Sequence, residues 1–498
     1  MLEIGHALVL FALFSLLLWR FWRFTLQPLL YPQYPRELPY WIPWHTIAFF
    51  TNSDQLLERG LNYTRRTHEI FSIQLLGKKL HIITSASDVA AAFRDTTALG
   101  FDGHLNELLQ NFGFGPDAIQ RSWHKPKPGD WCYIANNPVN PNQMNFIHLT
   151  EDKYKKQLLP GEKMDDMCRV FLGALHQSLQ WDKLCYSTST NESSWEKISL
   201  YSLCRFAMVD AATRSMFGHH LHDITPRIVE HMLDFNDHAW MVFFRYPNLF
   251  GLPITRPRRE IMDALKAFIQ LPESQRLSQA RSIKQIIAAQ EIVGIDLEAR
   301  ASVILMIFWA ANSNEYNISF WVLAYLLYDN RLFRLVKGET EAAWRSGKLD
   351  IKYLCANCPK LEAIFYEALR LKGGAMKLEA GDSIIIPSRQ LHTNENVWGH
   401  DVKEFNPERF LDNKSFSRHS SFRPFGGGLT YCPGRILAKE EVYGFIAILF
   451  HRFDMRLVLE ENQTRPPFPR LNDTTPALGI TGPLKNMDVL VEISKLGE

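Results

Sequence analysis

The residues best suited to chemistry lie in the stretch 422–438, FRPFGGGLTYCPGRILA. Three consecutive glycines, Gly426 to Gly428, call for a tight backbone path. Cys432 follows, then Pro433 and Gly434. There an apolar-periodic helix begins, carried by Ile436, Leu437, Tyr443, Ile446, Leu449 and Phe450. Cys432 is therefore expected just ahead of a helix N-terminus, where the dipole and the free N–H groups lower a thiol pKa. The chemistry this allows is that of a thiolate held in a glycine loop, ready to bind a metal. No G-K-S/T follows the glycines, so a phosphate-binding P-loop is excluded. A buried structural cysteine, the usual fate of a free thiol, stays open from the loop alone.

Two upstream segments must be positioned around that loop. In 361–371, LEAIFYEALRL, Glu367 and Arg370 stand three apart and share one helical face. As a surface ion pair they would contribute little. Asp296 to Leu327 reads as one long, mostly apolar helix with a polar interruption: Asn312, Ser313, Asn314, Glu315 and Asn317. A polar cluster inside a buried helix needs a reason, because burying it without partners is costly.

The spacing F-x-x-G-x-x-x-C-x-G, met by Phe425, Gly428, Cys432 and Gly434, resembles the haem-binding signature of the cytochromes P450. The resemblance implies haem b as cofactor, with Cys432 as the axial iron ligand. It implies that Phe425 packs on the proximal haem face and that backbone N–H groups bond the sulfur. Such a thiolate donates electron density to iron and favours O–O cleavage. Glu367 and Arg370 then look like the family's buried E-x-x-R motif, with Arg409 in the segment 406–410 (NPERF) as third member. The long helix corresponds to the one that crosses the haem. Asn314 falls at the position of the family's proton-shuttling acid and Glu315 at that of its threonine. The Phe320-Trp321 pair is similar to the branch of prostacyclin synthases and sterol 7α-hydroxylases.

Three features depart from the family pattern. Thr430 stands where a basic, propionate-binding residue is frequent. The W-x-x-x-R helix is not visible, since Trp123 and Trp131 lack a partner arginine. His148, Lys153, Lys155 and Lys156 could serve the propionates instead, or form a solvated helix face. After Arg370 the stretch 371–382 runs directly to 383–387 and looks shortened, through either a remodelled pocket or a lost piece.

At the N-terminus, Ile4 to Trp19 is a nearly unbroken apolar run, slightly short of the roughly 17–25 residues of a bilayer span. Phe21, Trp22 and Phe24 extend it, and Arg20 and Arg23 could snorkel. Positive charge after the run keeps that side cytoplasmic and argues for a signal anchor rather than a cleaved peptide. Pro28, Pro32, Pro35, Pro39 and Pro43 suggest a stiff extended spacer. The expected organisation is an anchor over 1–27, a spacer over 28–44 and a catalytic domain over 45–498.

Net charge is +2, from 55 basic and 53 acidic residues, which gives no case for a nucleic-acid partner. Seven cysteines at irregular spacings do not make a disulfide framework, and Cys355-x-x-Cys358 lacks the other ligands of a zinc set. Strands are expected at 71–76 and 79–83 around Gly77.

The fold implied is that of a cytochrome P450: mainly α with a small β region, and haem between the long helix and the Cys loop. The function implied is a monooxygenase on the cytosolic face of the endoplasmic reticulum. It would oxidise a hydrophobic terpenoid, steroid, polyketide or alkaloid of secondary metabolism, as filamentous-fungal members do, with O2 and an NADPH reductase. Two other readings are a reductase-independent isomerase or dehydratase of a peroxide, and an inactive haem-binding relic.

Overall fold

The computed structural model describes residues 2–41, 44–95, 97, 99–184, 195–246, 252–380, 382–428, 431–459, 465–476 and 478–496. Helices dominate, and their apolar faces merge into one large core. At its centre lie Phe308, Phe320, Trp321, Tyr443 and Ile446, all fully buried. The architecture is mainly α with a small β region, as expected.

The main sheet has five strands in the order 36–37, 71–75, 78–82, 382–387 and 375–380. Phe71–Leu75 and Lys78–Ile82 pair antiparallel across a turn in which Leu76 and Gly77 both have positive φ. Lys78–Ile82 then runs parallel to Asp382–Pro387, which folds back on Ala375–Ala380. The stretch after Arg370 that looks shortened thus leaves its helix at Lys372 and enters the sheet as this hairpin. A second sheet pairs Glu196–Ser199, Leu490–Lys495 and Phe453–Leu457.

The expected single helix over Asp296–Leu327 is two helices, Leu297–Asn312 and Glu315–Leu327. Asp296 caps the first by accepting from Ala299 N at 2.8 Å. The break comes where short polar side chains compete for backbone groups. Asn312 Nδ2 donates to Phe308 O at 2.9 Å, and Asn317 Nδ2 donates to Ser313 O at 3.3 Å. Asn314, with φ −121°, stands between the two helices.

The N-terminal expectation also changes. The apolar span is 27 residues, Ile4–Leu30, long and apolar enough to cross a membrane, and none of it is buried in the body. Pro28 sits in the first turn of the short helix Gln27–Leu30 rather than in an extended spacer, a position that needs no proline N–H. Arg36 and Glu37 pair with Phe71 and Ser72, so part of the spacer belongs to the main sheet.

Lys372 closes the E-x-x-R helix inside an aromatic cage. It is 7% exposed, and its Nζ stands 3.8 Å from the Trp321 ring centroid and 5.4 Å from that of Tyr325. Burial pushes its pKa down to about 7, while the ring faces favour the ammonium form. A lysine depressed in the folded state lowers stability progressively as pH falls from 10.5 to about 7. Lys372→Met is expected to raise stability at pH 7 by about 2 kcal/mol, since a thioether fills the cage without a charge to desolvate. It should also flatten the pH dependence of Tm above pH 7. Thermal unfolding at pH 7 and pH 9 checks both outcomes.

Candidate active site

Cys432 lies on the wall of a mostly apolar cavity of about 490 Å³. The loop that carries it is closed by the Cys432 N–H donating to Phe425 O at 2.9 Å. Its sulfur accepts from the N–H groups of Gly434 and Arg435, at the start of the helix Arg435–Arg452. The glycines upstream serve packing as much as approach. Gly428 has φ +55°, and a Cβ there would lie 2.7 Å from Phe93 O. Thr430 lies outside the described residues.

One electrostatic expectation is corrected. Burial pushes the Cys432 thiol up to about 11, because loss of solvation outweighs the two N–H bonds. The helix N-terminus alone does not make the thiolate. A bound metal cation would, because it deprotonates a coordinating thiol outright.

The opposite wall comes from the break between the central helices. Met306, Trp309, Ala310, Asn314, Glu315 and Ile318 all face the cavity. Burial raises the Glu315 carboxyl to about 7, although the N–H groups of Asn314 and of Glu315 itself favour the anion. Glu315 therefore both caps the second helix and faces the cavity.

Both polar atoms of the Asn314 side chain are hydrogen-bonded. Oδ1 accepts from Ile480 N at 2.7 Å, and Nδ2 donates to Ser313 Oγ at 2.8 Å. A Cβ on Gly479 would lie 2.0 Å from that Oδ1, so this approach depends on glycine. Asn314 thus fastens the loop carrying Leu478 and Ile480 to the helix break.

Behind the cavity, Arg370 Nε and Nη2 donate to Glu367 Oε2 and Oε1, both at 2.7 Å, with both side chains fully buried. Arg370 Nη1 also donates to His392 O at 2.9 Å and Val402 O at 2.7 Å. Asn406 N donates to Glu367 Oε1 at 3.0 Å, and Arg409 Nε stands 3.5 Å from the same oxygen. The three residues are together, and the cluster is buried rather than a surface pair.

The basic run divides. Lys155 and Lys156 pair with Glu151 and Asp152 one turn back, as on a solvated helix face. Lys153 is buried, and burial lowers its pKa. His148 and Lys155 border a neighbouring cavity that meets the first at Phe101 and Met306. Among the lining residues not singled out from the sequence are two arginines and a histidine: Arg423, Arg389 and His104. Arg423 was adjacent to the signature, and its place two residues before Phe425 was the available signal. Arg389 and His104 come from distant segments and carried none.

A thiol and a carboxyl on the lining, apolar side chains around them and the guanidinium groups of Arg389 and Arg423 beside them fit a carboxylate-bearing iron macrocycle. The fold and this site define a haem-thiolate enzyme. The family model for cytochrome P450 matches residues 371–476, a segment that includes the Cys432 loop. The chain is 22% identical to the cytochrome P450 monooxygenase poxD of Penicillium oxalicum, over 88% of this chain and 90% of that one. It is 23% identical to cholesterol 7-alpha-monooxygenase of Cricetulus griseus, over 91% and 92%. It is also 23% identical to the cytochrome P450 monooxygenase calL of Penicillium decumbens, over 91% of each. Residues 371–476 are therefore similar to the cytochrome P450 family, as are the full-length relatives, and the cofactor of that family is a thiolate-ligated haem iron.

Proposed function

We propose that this monooxygenase oxidises a hydrophobic small molecule of terpenoid, steroid, polyketide or alkaloid type in secondary metabolism. It would draw electrons from an NADPH-dependent reductase, with residues 1–27 anchoring it in the endoplasmic reticulum membrane and the body (45–498) in the cytosol. The observation that carries the reading is the apolar cavity between Cys432 and the helix break, walled by Leu108, Phe112, Phe243, Trp309 and Ile385. Such a wall selects apolar substrates by burying their surface. The fungal and sterol-oxidising relatives support the substrate class, and the 27-residue apolar span supports the anchor.

Cys432 is the iron ligand in this reading, with Phe425, Gly428 and Gly434 shaping its loop. When bound, the haem supplies dioxygen activation, helped by thiolate donation. Arg423, Arg389 and His104 would hold its carboxylates. Asn314 positions the loop over the substrate through Ile480. Glu315 holds a proton on its carboxyl below about pH 7 and can pass it into the cavity. The first test is the carbon monoxide difference spectrum of the reduced full chain, followed by substrate-dependent NADPH oxidation with a reductase. A thiolate band with coupled oxidation supports the reading, and a neutral-ligand band sinks it.

Glu315→Ala is expected to lower coupled turnover by about a hundredfold while haem content stays unchanged. The wild-type rate should fall as pH rises through about 7, where the carboxyl loses its proton, and Glu315→Gln should lack that limb. Unchanged turnover in the alanine variant would leave Glu315 as a helix cap only. A second reading, rearrangement of a peroxide without a reductase, is favoured by Glu315 standing where threonine is usual. It predicts turnover without NADPH.

A further inference from the structure

The end of the apolar span is fastened to the body rather than hung on a free spacer. Arg20 and Arg23, which could have snorkelled to lipid headgroups, turn to the protein instead. Arg20 Nη1 donates to Tyr40 O, and its guanidinium stands 4.2 Å from the Trp41 ring. Arg23 Nε and Nη2 donate to the two oxygens of Glu37 at 2.9 and 3.2 Å, a forked pair with Glu37 only 12% exposed. Trp19 and Phe24 meet Tyr40 edge to face at 5.8 and 5.2 Å, and Tyr40 in turn meets His45 at 5.0 Å.

The receiving segment is itself held by the main sheet. Glu37 pairs with Ser72, Leu38 N donates to Ser72 O, and His45 N donates to Gln74 O. His45 Nδ1 accepts from Gln74 N at 3.0 Å. A continuous line of contacts thus joins the span to the sheet. Bidentate arginine–carboxylate pairs and aromatic edge contacts are directional, so they fix an angle as well as a distance.

Beside this junction the body exposes large apolar side chains: Tyr34 at 68%, Trp41 at 51%, Trp44 at 44% and Ile47 at 64%. Tryptophan and tyrosine at such a boundary suit the headgroup layer, with the ring apolar and the N–H or O–H wet. Trp41 of this patch lies directly against Arg20 of the apolar span, and that contact names the occupant as the layer the span enters. We propose that Arg20, Arg23, Glu37 and Tyr40 form a rigid clamp that sets the tilt of the catalytic body, laying Trp41, Trp44 and Ile47 on the phospholipid surface. This rests on the anchor reading above.

Hydroxyl-radical footprinting of the full chain in phosphatidylcholine nanodiscs holding one copy each tests the clamp. In the wild type, Trp41 and Trp44 should oxidise several-fold more slowly than the exposed Trp131, which contacts Val293 and His124. In Arg20→Ala/Arg23→Ala, and in Glu37→Gln should the double variant fail to fold, that protection should disappear while Phe11 and Phe14 stay protected. An unchanged carbon monoxide spectrum would show the body intact. Protection that survives in the variants overturns the clamp, and unprotected Trp41 and Trp44 in the wild type overturn the membrane-facing patch. Protection seen only in discs with two copies would make the patch a self-association face and also overturn it. Phe11 and Phe14 oxidised as freely as exposed side chains would instead overturn the anchor reading, a separate failure.

Discussion

Cys432→Ser is expected to abolish the thiolate band in the reduced carbon monoxide spectrum and all coupled oxidation. A serine hydroxyl has a far higher pKa than a thiol and does not replace a soft sulfur donor to iron. The structure adds a quantitative reason. The cavity already holds the free thiol at about 11, so only the iron's charge brings the ligand to its anionic form. Cys432→His should retain some haem, because imidazole binds iron as a neutral ligand, and should give the neutral-ligand band. Retention of the thiolate band in the serine variant would move the ligand assignment elsewhere. The loop should survive either change, since its closure from Cys432 N to Phe425 O is backbone to backbone.

Arg370→Met is expected to have the second largest effect, on folding rather than chemistry. It would leave Glu367 fully buried and without its bidentate partner, keeping the Asn406 N–H at 3.0 Å and Arg409 at 3.5 Å. It would also strip the His392, Val402 and Glu404 carbonyls of a donor. Removing one member of a buried pair costs about 3–5 kcal/mol, a large part of the roughly 5–15 kcal/mol that holds a domain folded. The expected result is loss of most haem-loaded protein at 37 °C and a clear fall in Tm for what remains. Glu367→Leu/Arg370→Met should recover part of that loss, because the uncompensated ion is gone while the orphaned carbonyls remain. Arg409→Ala should cost less than Arg370→Met, since its contact with Glu367 is longer and it also serves Asp401 near the surface. Tm and haem content across the four proteins check the order.

Motifs of short span were legible in the residues because their geometry is local. Phe425, Gly428, Cys432 and Gly434 define one loop, and Glu367 and Arg370 share one helical face. The strand pair around Gly77 follows from composition and the turn. Ile4–Trp19 of the 27-residue apolar span was legible, because that part carries no charge and a run without charges needs no partner to be seen.

Tertiary structure decided the rest. Whether Asp296–Leu327 was one helix or two depended on whether Asn312, Asn314 and Asn317 would bond their own backbone or a neighbour's. Asn314 and Asn317 both reach the loop at Ile480, more than 160 positions away. Arg389 and His104 reach the cavity from separate segments, and no spacing in a linear chain records that meeting. The acidity of Cys432 followed neither from its residue type nor from its helix, since burial set it. The direction in which Arg20 and Arg23 turn was equally hidden, because their partners Glu37 and Tyr40 are held in place by hydrogen bonds to a sheet that the sequence does not show joining the anchor.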